Sequence, residues 1–128
     1  MLLMSRYVDS TEQLVVELLV HDLQRSLAFY RAIGFEVLRE EETFAVVAWE
    51  SHRLFLDQVG DLPEAPATPA MNVRVMVPDV DRVWQRVNDL ALRVVAPIGD
   101  RPYGLRDFTI ADPDGFGVRF ATRLRAAG

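Results

Sequence analysis

Glu17 and Arg74 are the residues of this sequence whose type and placement most directly invite chemistry. Each is a charge set inside an apolar run, Leu14-Val15-Val16-Glu17-Leu18-Leu19-Val20 and Val73-Arg74-Val75-Met76-Val77. Burying either charge alone costs several kcal/mol. Two arrangements relieve that cost, a salt bridge between the two residues or contact of each with a bound ligand. Other polar candidates are few. The two histidines, His21 and His52, lie 31 positions apart (52 minus 21) and lack metal-ligand spacing. His21 falls at a strand-to-helix junction, where it reads as a rim residue or, alternatively, as a general base. His52 falls in a turn, Glu50-Ser51-His52-Arg53, and Glu40-Glu41-Glu42 reads as a solvated strand end.

What is missing narrows the chemistry further. The chain has no Cys, and all 14 of its basic residues are Arg. Thiolate nucleophiles, disulfides, thiolate metal sites, Schiff bases and the lysine of a phosphate-binding loop are therefore excluded. No G-x-S-x-G, G-x-G-x-x-G or H-E-x-x-H occurs, so nothing points to a hydrolase, kinase or dehydrogenase. A net charge of −5 argues against a nucleic-acid or anionic-lipid partner, and an anionic ligand would need a local Arg cluster. No apolar run approaches the roughly 20 residues that span a bilayer. The opening Met1-Leu2-Leu3-Met4-Ser5-Arg6-Tyr7-Val8-Asp9 has no sustained apolar stretch, and a cytoplasmic location is expected.

The elements that must position these residues come from an internal repeat. Val20/Val77, Asp22/Asp79, Arg25/Arg82 and Val37/Val94 all align at one offset of 57 (77 minus 20), the same offset that relates Glu17 to Arg74. In each copy an apolar run ends at an Asp suited to cap a helix, and apolar residues then recur at helical spacing. Those residues are Leu23, Leu27, Tyr30 and Ile33 in the first copy and Val80, Val83, Trp84, Val87 and Leu90 in the second. Strands are expected at 13–20, 35–39, 44–49 and 53–58, then at 71–77, 92–96, 105–110 and 117–121. Each half thus reads β-α-β-β-β: module 1 covers about 13–59 and module 2 about 71–122. The Pro-rich segment 60–70 links them within a single domain of 128 residues.

The stretch Val20-His21-Asp22-Leu23-Gln24-Arg25-Ser26-Leu27-Ala28-Phe29-Tyr30, followed by Gly34-Phe35, resembles the first strand-helix unit of the vicinal oxygen chelate superfamily, which includes glyoxalase I, dioxygenases and the bleomycin resistance proteins. Asp112-Pro113-Asp114-Gly115-Phe116 resembles the turn before that superfamily's last strand. The resemblance spans about residues 13–122. It implies an α+β fold in which paired βαβββ modules form a curved, half-open mixed sheet, with helices on the convex side and a ligand or metal on the concave side. It also implies a homodimer.

Strand alternation then assigns faces. Val16, Leu18 and Val20 should face the helix, leaving Val15, Glu17 and Leu19 on the concave face. Asn72, Arg74 and Met76 should share that face in module 2, as should Arg119. The metal-dependent relatives place His, Glu or Gln on each of four strands, and the matching positions here are Val15, Asn72, Arg119 and Phe55, with Asp57 the alternative to Phe55. Val and Phe have no donor atom, Arg is a permanent cation and an Asn carbonyl is a poor ligand, so no metal and no other cofactor is expected.

Arg119 beside Arg74 would instead give the site an anion-binding character. Among the aromatics, Phe44 and Phe108 read as core, while Trp49 and Tyr103 adjoin predicted loops and join the candidate rim. The expected ligand-binding set is Glu17, Phe55, Trp49, Asn72, Arg74, Tyr103 and Arg119. The expected function is metal-independent binding of a small molecule, as in the bleomycin resistance branch. A lyase or isomerase using Glu17 or His21 as base is the alternative, and a purely dimerising accessory domain is a third.

Overall fold

The computed structural model describes residues 6–125, in two compact units, Met1–Leu62 and Pro63–Gly128. The first unit holds α1 (Ser10–Gln13), β1 (Val16–Val20), α2 (Leu23–Ala32), β2 (Glu36–Glu40), β3 (Phe44–Trp49) and β4 (His52–Gln58). Its open sheet has the order β1-β4-β3-β2, with β1 and β4 parallel and the other neighbours antiparallel. The second unit repeats that connectivity with β5 (Asn72–Met76), α3 (Val80–Asp89), β6 (Val94–Asp100), β7 (Leu105–Ala111) and β8 (Gly117–Arg123), in the order β5-β8-β7-β6. The fold is therefore α+β, built from two mixed four-stranded sheets.

Helices α2 and α3 start where the sequence says they should. The Asp22 carboxylate accepts from the Arg25 amide at 3.2 Å, and Asp79 accepts from Arg82 at 3.4 Å. A side chain from the last strand of each sheet satisfies one more free amide. Gln58 Oε1 accepts from the Leu23 amide at 2.8 Å, and Thr122 Oγ1 accepts from the Val80 amide at 2.9 Å while donating to the Val77 carbonyl at 2.8 Å. The apolar stripes then bury. Leu23, Leu27 and Tyr30 of α2 are fully buried, as are Val20, Val47 and Leu56 of its sheet. Val80 and Val87 of α3 are buried, as are Phe108, Ile110, Val118 and Phe120.

Two elements depart from the sequence expectation. The first strand does not begin at Gln13, because residues 10–13 form α1: Asp9 accepts from the Thr11 amide at 2.8 Å and from its hydroxyl at 2.6 Å. Those bonds hold the Asp9 carboxyl below its ordinary value. A capping Asp followed by Ser-Thr-Glu outweighs the β-propensity of the residues after it. The sixth strand continues past Ala96 to Asp100. It runs through Pro97 by means of two register shifts, which only an edge strand tolerates.

Gly34 takes φ +112°, and a Cβ there would lie 2.9 Å from the Trp49 ring, so the turn after α2 needs glycine both for its backbone and for its contact. The Asp112-Pro113-Asp114-Gly115 segment is a turn, as its composition indicates. Asp112 is buried, and its carboxylate accepts from the amides of Asp114 and Phe116, each at 2.9 Å.

Candidate functional site

On the face of each sheet turned from its helix, the two units carry different chemistry. In the first unit, Val46 and Phe55 are register partners, as are Glu17 and Phe55, which sets all three side chains on one face. Phe44 and Phe55 meet edge to face at 5.3 Å, and the Arg39 guanidinium lies 5.7 Å from the Phe44 ring centre. A cavity of about 410 Å³ opens over them, bounded also by Val15, Leu38 and Arg53 and by Glu12 of α1, which pairs with Arg53 at 3.7 Å.

In the second unit, Arg74 and Arg119 are register partners on parallel β5 and β8, the places that Glu17 and Phe55 occupy in the first. A cavity of about 390 Å³ is lined by Arg74, Tyr103, Leu105, Arg119 and Arg123. Its floor is organised by Asp107, which is 3% exposed and was not among the sequence candidates. Asp107 Oδ2 accepts from Tyr103 Oη at 2.6 Å and from Arg119 Nε and Nη2 at 2.9 and 2.6 Å, and Oδ1 accepts from Arg101 Nε at 2.8 Å. Tyr103 Oη accepts in turn from Arg119 Nη2 at 2.9 Å, with the Arg119 guanidinium 5.2 Å from the Tyr103 ring centre.

Burial alone would raise the Asp107 carboxyl, but the hydrogen bonds from Tyr103, Arg101 and Arg119 outweigh it and hold the group below its ordinary value. The bond to Asp107, with burial second, pushes the Tyr103 phenol up. Tyr103 therefore stays protonated and its proton points at Asp107.

The structure sorts the expected residues accordingly. Arg74, Tyr103 and Arg119 come together in the second unit. Asn72 lies two residues from Arg74 on the same strand, opposite Gly117, and does not line that cavity. A Cβ on Gly117 would lie 2.7 Å from Asn72 Cβ, so glycine is what lets β5 approach β8 there. Phe55 lines the first unit's cavity, whereas Glu17 is exposed on β1, not among that cavity's walls. Neither the Glu17 carboxylate nor the Arg74 guanidinium has a hydrogen-bond or ion-pair partner among the described residues.

Trp49 is placed elsewhere. Its ring packs edge-on to Phe35 at 5.4 Å and against Gly34, on the helix side of β3, because Ala45, Val47 and Trp49 alternate with Phe44, Val46 and Ala48. The same alternation corrects Phe44, which lines the cavity and is not core, while Phe108 is core. His21 is exposed, with its Nε2 3.2 Å from the Leu62 carbonyl, and His52 opens β4.

The four positions that hold a metal in metal-dependent relatives do not fit one here. Phe55 packs its ring on Phe44, and Arg119 is a cation already bonded to Asp107. Val15 has no donor atom, and Asn72 offers a single amide oxygen. Among the described residues no group of three or more His, Asp or Glu side chains is arranged to bind an ion.

Two sheets of β1-β4-β3-β2 type in tandem, each with an open face remote from its helix, define a class of protein. The chain belongs to the Glyoxalase/Bleomycin resistance protein/Dioxygenase superfamily, whose family model matches residues 12–120. Among solved structures, it is similar to a glyoxalase/bleomycin resistance protein/dioxygenase from Nocardioides, with 21% identity, TM-score 0.74 and coverage of 94% of this chain and 88% of the other. TioX from Micromonospora sp. ML1 is 26% identical, with TM-score 0.72 and coverage of 86% and 97%. A bleomycin resistance determinant encoded on the transposon Tn5 is 17% identical, with TM-score 0.71 and coverage of 88% and 98%. No curated protein sequence matches the chain.

Proposed function

We propose that this protein binds a small, partly aromatic organic molecule on the sheet faces remote from its helices, without a metal ion, and acts by sequestering it. The observation that carries this reading is the Phe44–Phe55 pair. Two aromatic rings at 5.3 Å form the wall of an open cavity of about 410 Å³ instead of closing into the core. That volume suits a small ligand, and a few polar groups beside an apolar wall are what orient one. Sequestration accords with the bleomycin resistance determinant that shares the fold. In this reading the two modules work as one domain, in a cytoplasmic homodimer.

The test is a thermal-shift screen of glycopeptide-type antibiotics and aromatic acids. A ligand at 100 times its dissociation constant adds about 2.7 kcal/mol of stability. Phe55→Ala is expected to weaken the binding of any aromatic hit about tenfold, the loss of roughly 1.4 kcal/mol of ring contact, while the unliganded midpoint falls by only about 3 °C as the contact with Phe44 is lost. A screen in which nothing shifts the midpoint would remove the proposal.

A further inference from the structure

We propose that the second unit's cavity is an oxyanion site, which takes a small molecule whose carboxylate or phosphate group is gripped by Arg74 and Arg123. This deepens the small-molecule reading above and rests on it. The charge count around the cavity leads there. Four guanidiniums, those of Arg74, Arg101, Arg119 and Arg123, stand on or beside the cavity floor. Among the described residues Asp107 is the one carboxylate with which any of them pairs. Arg101 and Arg119 take up that carboxylate between them, and Arg74 and Arg123 have no partner among the described residues.

Placing Arg74 directly abreast of Arg119 on adjacent strands is unfavourable without a counter-ion, because like charges in register repel. Asp107 cannot supply a second one. Both its oxygens are occupied, and it is held to Arg119 and Tyr103 on the side away from Arg74's strand, since β8 lies between β5 and β7.

The network also fixes which groups are free to bind. Arg119 Nε and Nη2 are spent on Asp107 and Tyr103, and the Tyr103 proton is spent on Asp107. This cross-bracing fixes the Arg119 guanidinium in the cavity lining, with Arg74 on the neighbouring strand β5 and Arg123 further along β8 itself. Guanidinium forks of that kind match the paired oxygens of a carboxylate or phosphate, and Leu105 beside them gives the ligand an apolar contact. The corresponding cavity of the first unit lacks this character, because Phe55 stands where Arg119 does and Phe44 where Asp107 does in strand register.

The full chain titrated by NMR with sodium benzoate, inorganic phosphate and benzyl alcohol decides the matter. Benzoate or phosphate should move the Nε–Hε resonances of Arg74 and Arg123. Arg74→Ala and Arg123→Ala should each weaken that anion about tenfold or more, the size of one charge-assisted contact, and Arg74→Lys should restore part of it. Both arginines are exposed, so the unliganded spectrum reports an intact fold in either variant. Tighter benzoate than phosphate marks a carboxylate ligand, and the reverse order marks a phosphate. The proposal is overturned if neither anion moves those resonances, or if binding is the same in both alanine variants. Benzyl alcohol separates the two readings. If it alone binds, shifting Phe44 and Phe55, the aromatic-ligand reading survives the loss of the oxyanion site; if nothing in this set or in the broader screen binds, both fall.

Discussion

Asp107→Ala is expected to lower the free energy of unfolding by about 3 kcal/mol, because it leaves the partly buried Arg101 and Arg119 guanidiniums without their shared carboxylate. For a chain of this size that is a fall of roughly 10 °C in the midpoint, readable by circular dichroism. Arg119→Ala should cost less, since Asp107 keeps its bonds to Arg101 and Tyr103. The double variant should be less than additive, the mark of a direct coupling.

Acid gives a second readout with a definite sign. The folded Asp107 carboxyl sits below its ordinary value, so near and below that value the unfolded chain binds more protons than the folded one. The stabilisation it confers is complete above about pH 4 and is lost as the pH falls through the folded value. Wild type and Asp107→Ala should therefore converge on acidification, and a gap between them that stays constant down to pH 2 would contradict this account. Asp107→Asn should also tighten the anion proposed for the cavity, because it removes the one negative charge there. Stability and affinity would then move in opposite directions.

Phe108→Ala is expected to cost about 4 kcal/mol. The ring is fully buried, 5.0 Å from Trp84 and 5.6 Å from Phe120 between ring centres, and its removal leaves a void that the sheet and helix cannot close. Phe44→Ala, by contrast, loses one edge-to-face contact on an open wall and should cost about 1 kcal/mol. Urea unfolding of the two variants checks the difference. Equal costs would contradict the placement of Phe108 in the core of the second unit and of Phe44 on the open face of the first.

That contrast also shows what was legible in the sequence. The repeat, the Asp22 and Asp79 caps, the strand order of events in each half and the helix-facing stripe all follow from period and offset, because helix and strand periodicities are local properties. Alternation along 44–49 places Phe44 opposite Ala45 and Val47 and Trp49 with them, so the core reading of Phe44 fails on strand period, and for Trp49 proximity to a loop is the wrong guide. Asp107 was missed for a different reason. The Tyr103-Gly104 turn brings Tyr103 within reach of a residue four positions on, which is a local signal. The bonds to Arg101 and Arg119, however, depend on strand pairing across 6 and 12 positions that no single segment specifies. The α1 turn was lost to the β-rich residues beside it.

Trp49 and Trp84 each sit against the core of a different unit, one on Phe35 and Gly34 and the other on Phe108. They are the chain's two indoles. Every unfolding experiment on this protein thus comes with a separate natural fluorophore for each half, and replacing either tryptophan by phenylalanine leaves an optical record of how the remaining half melts.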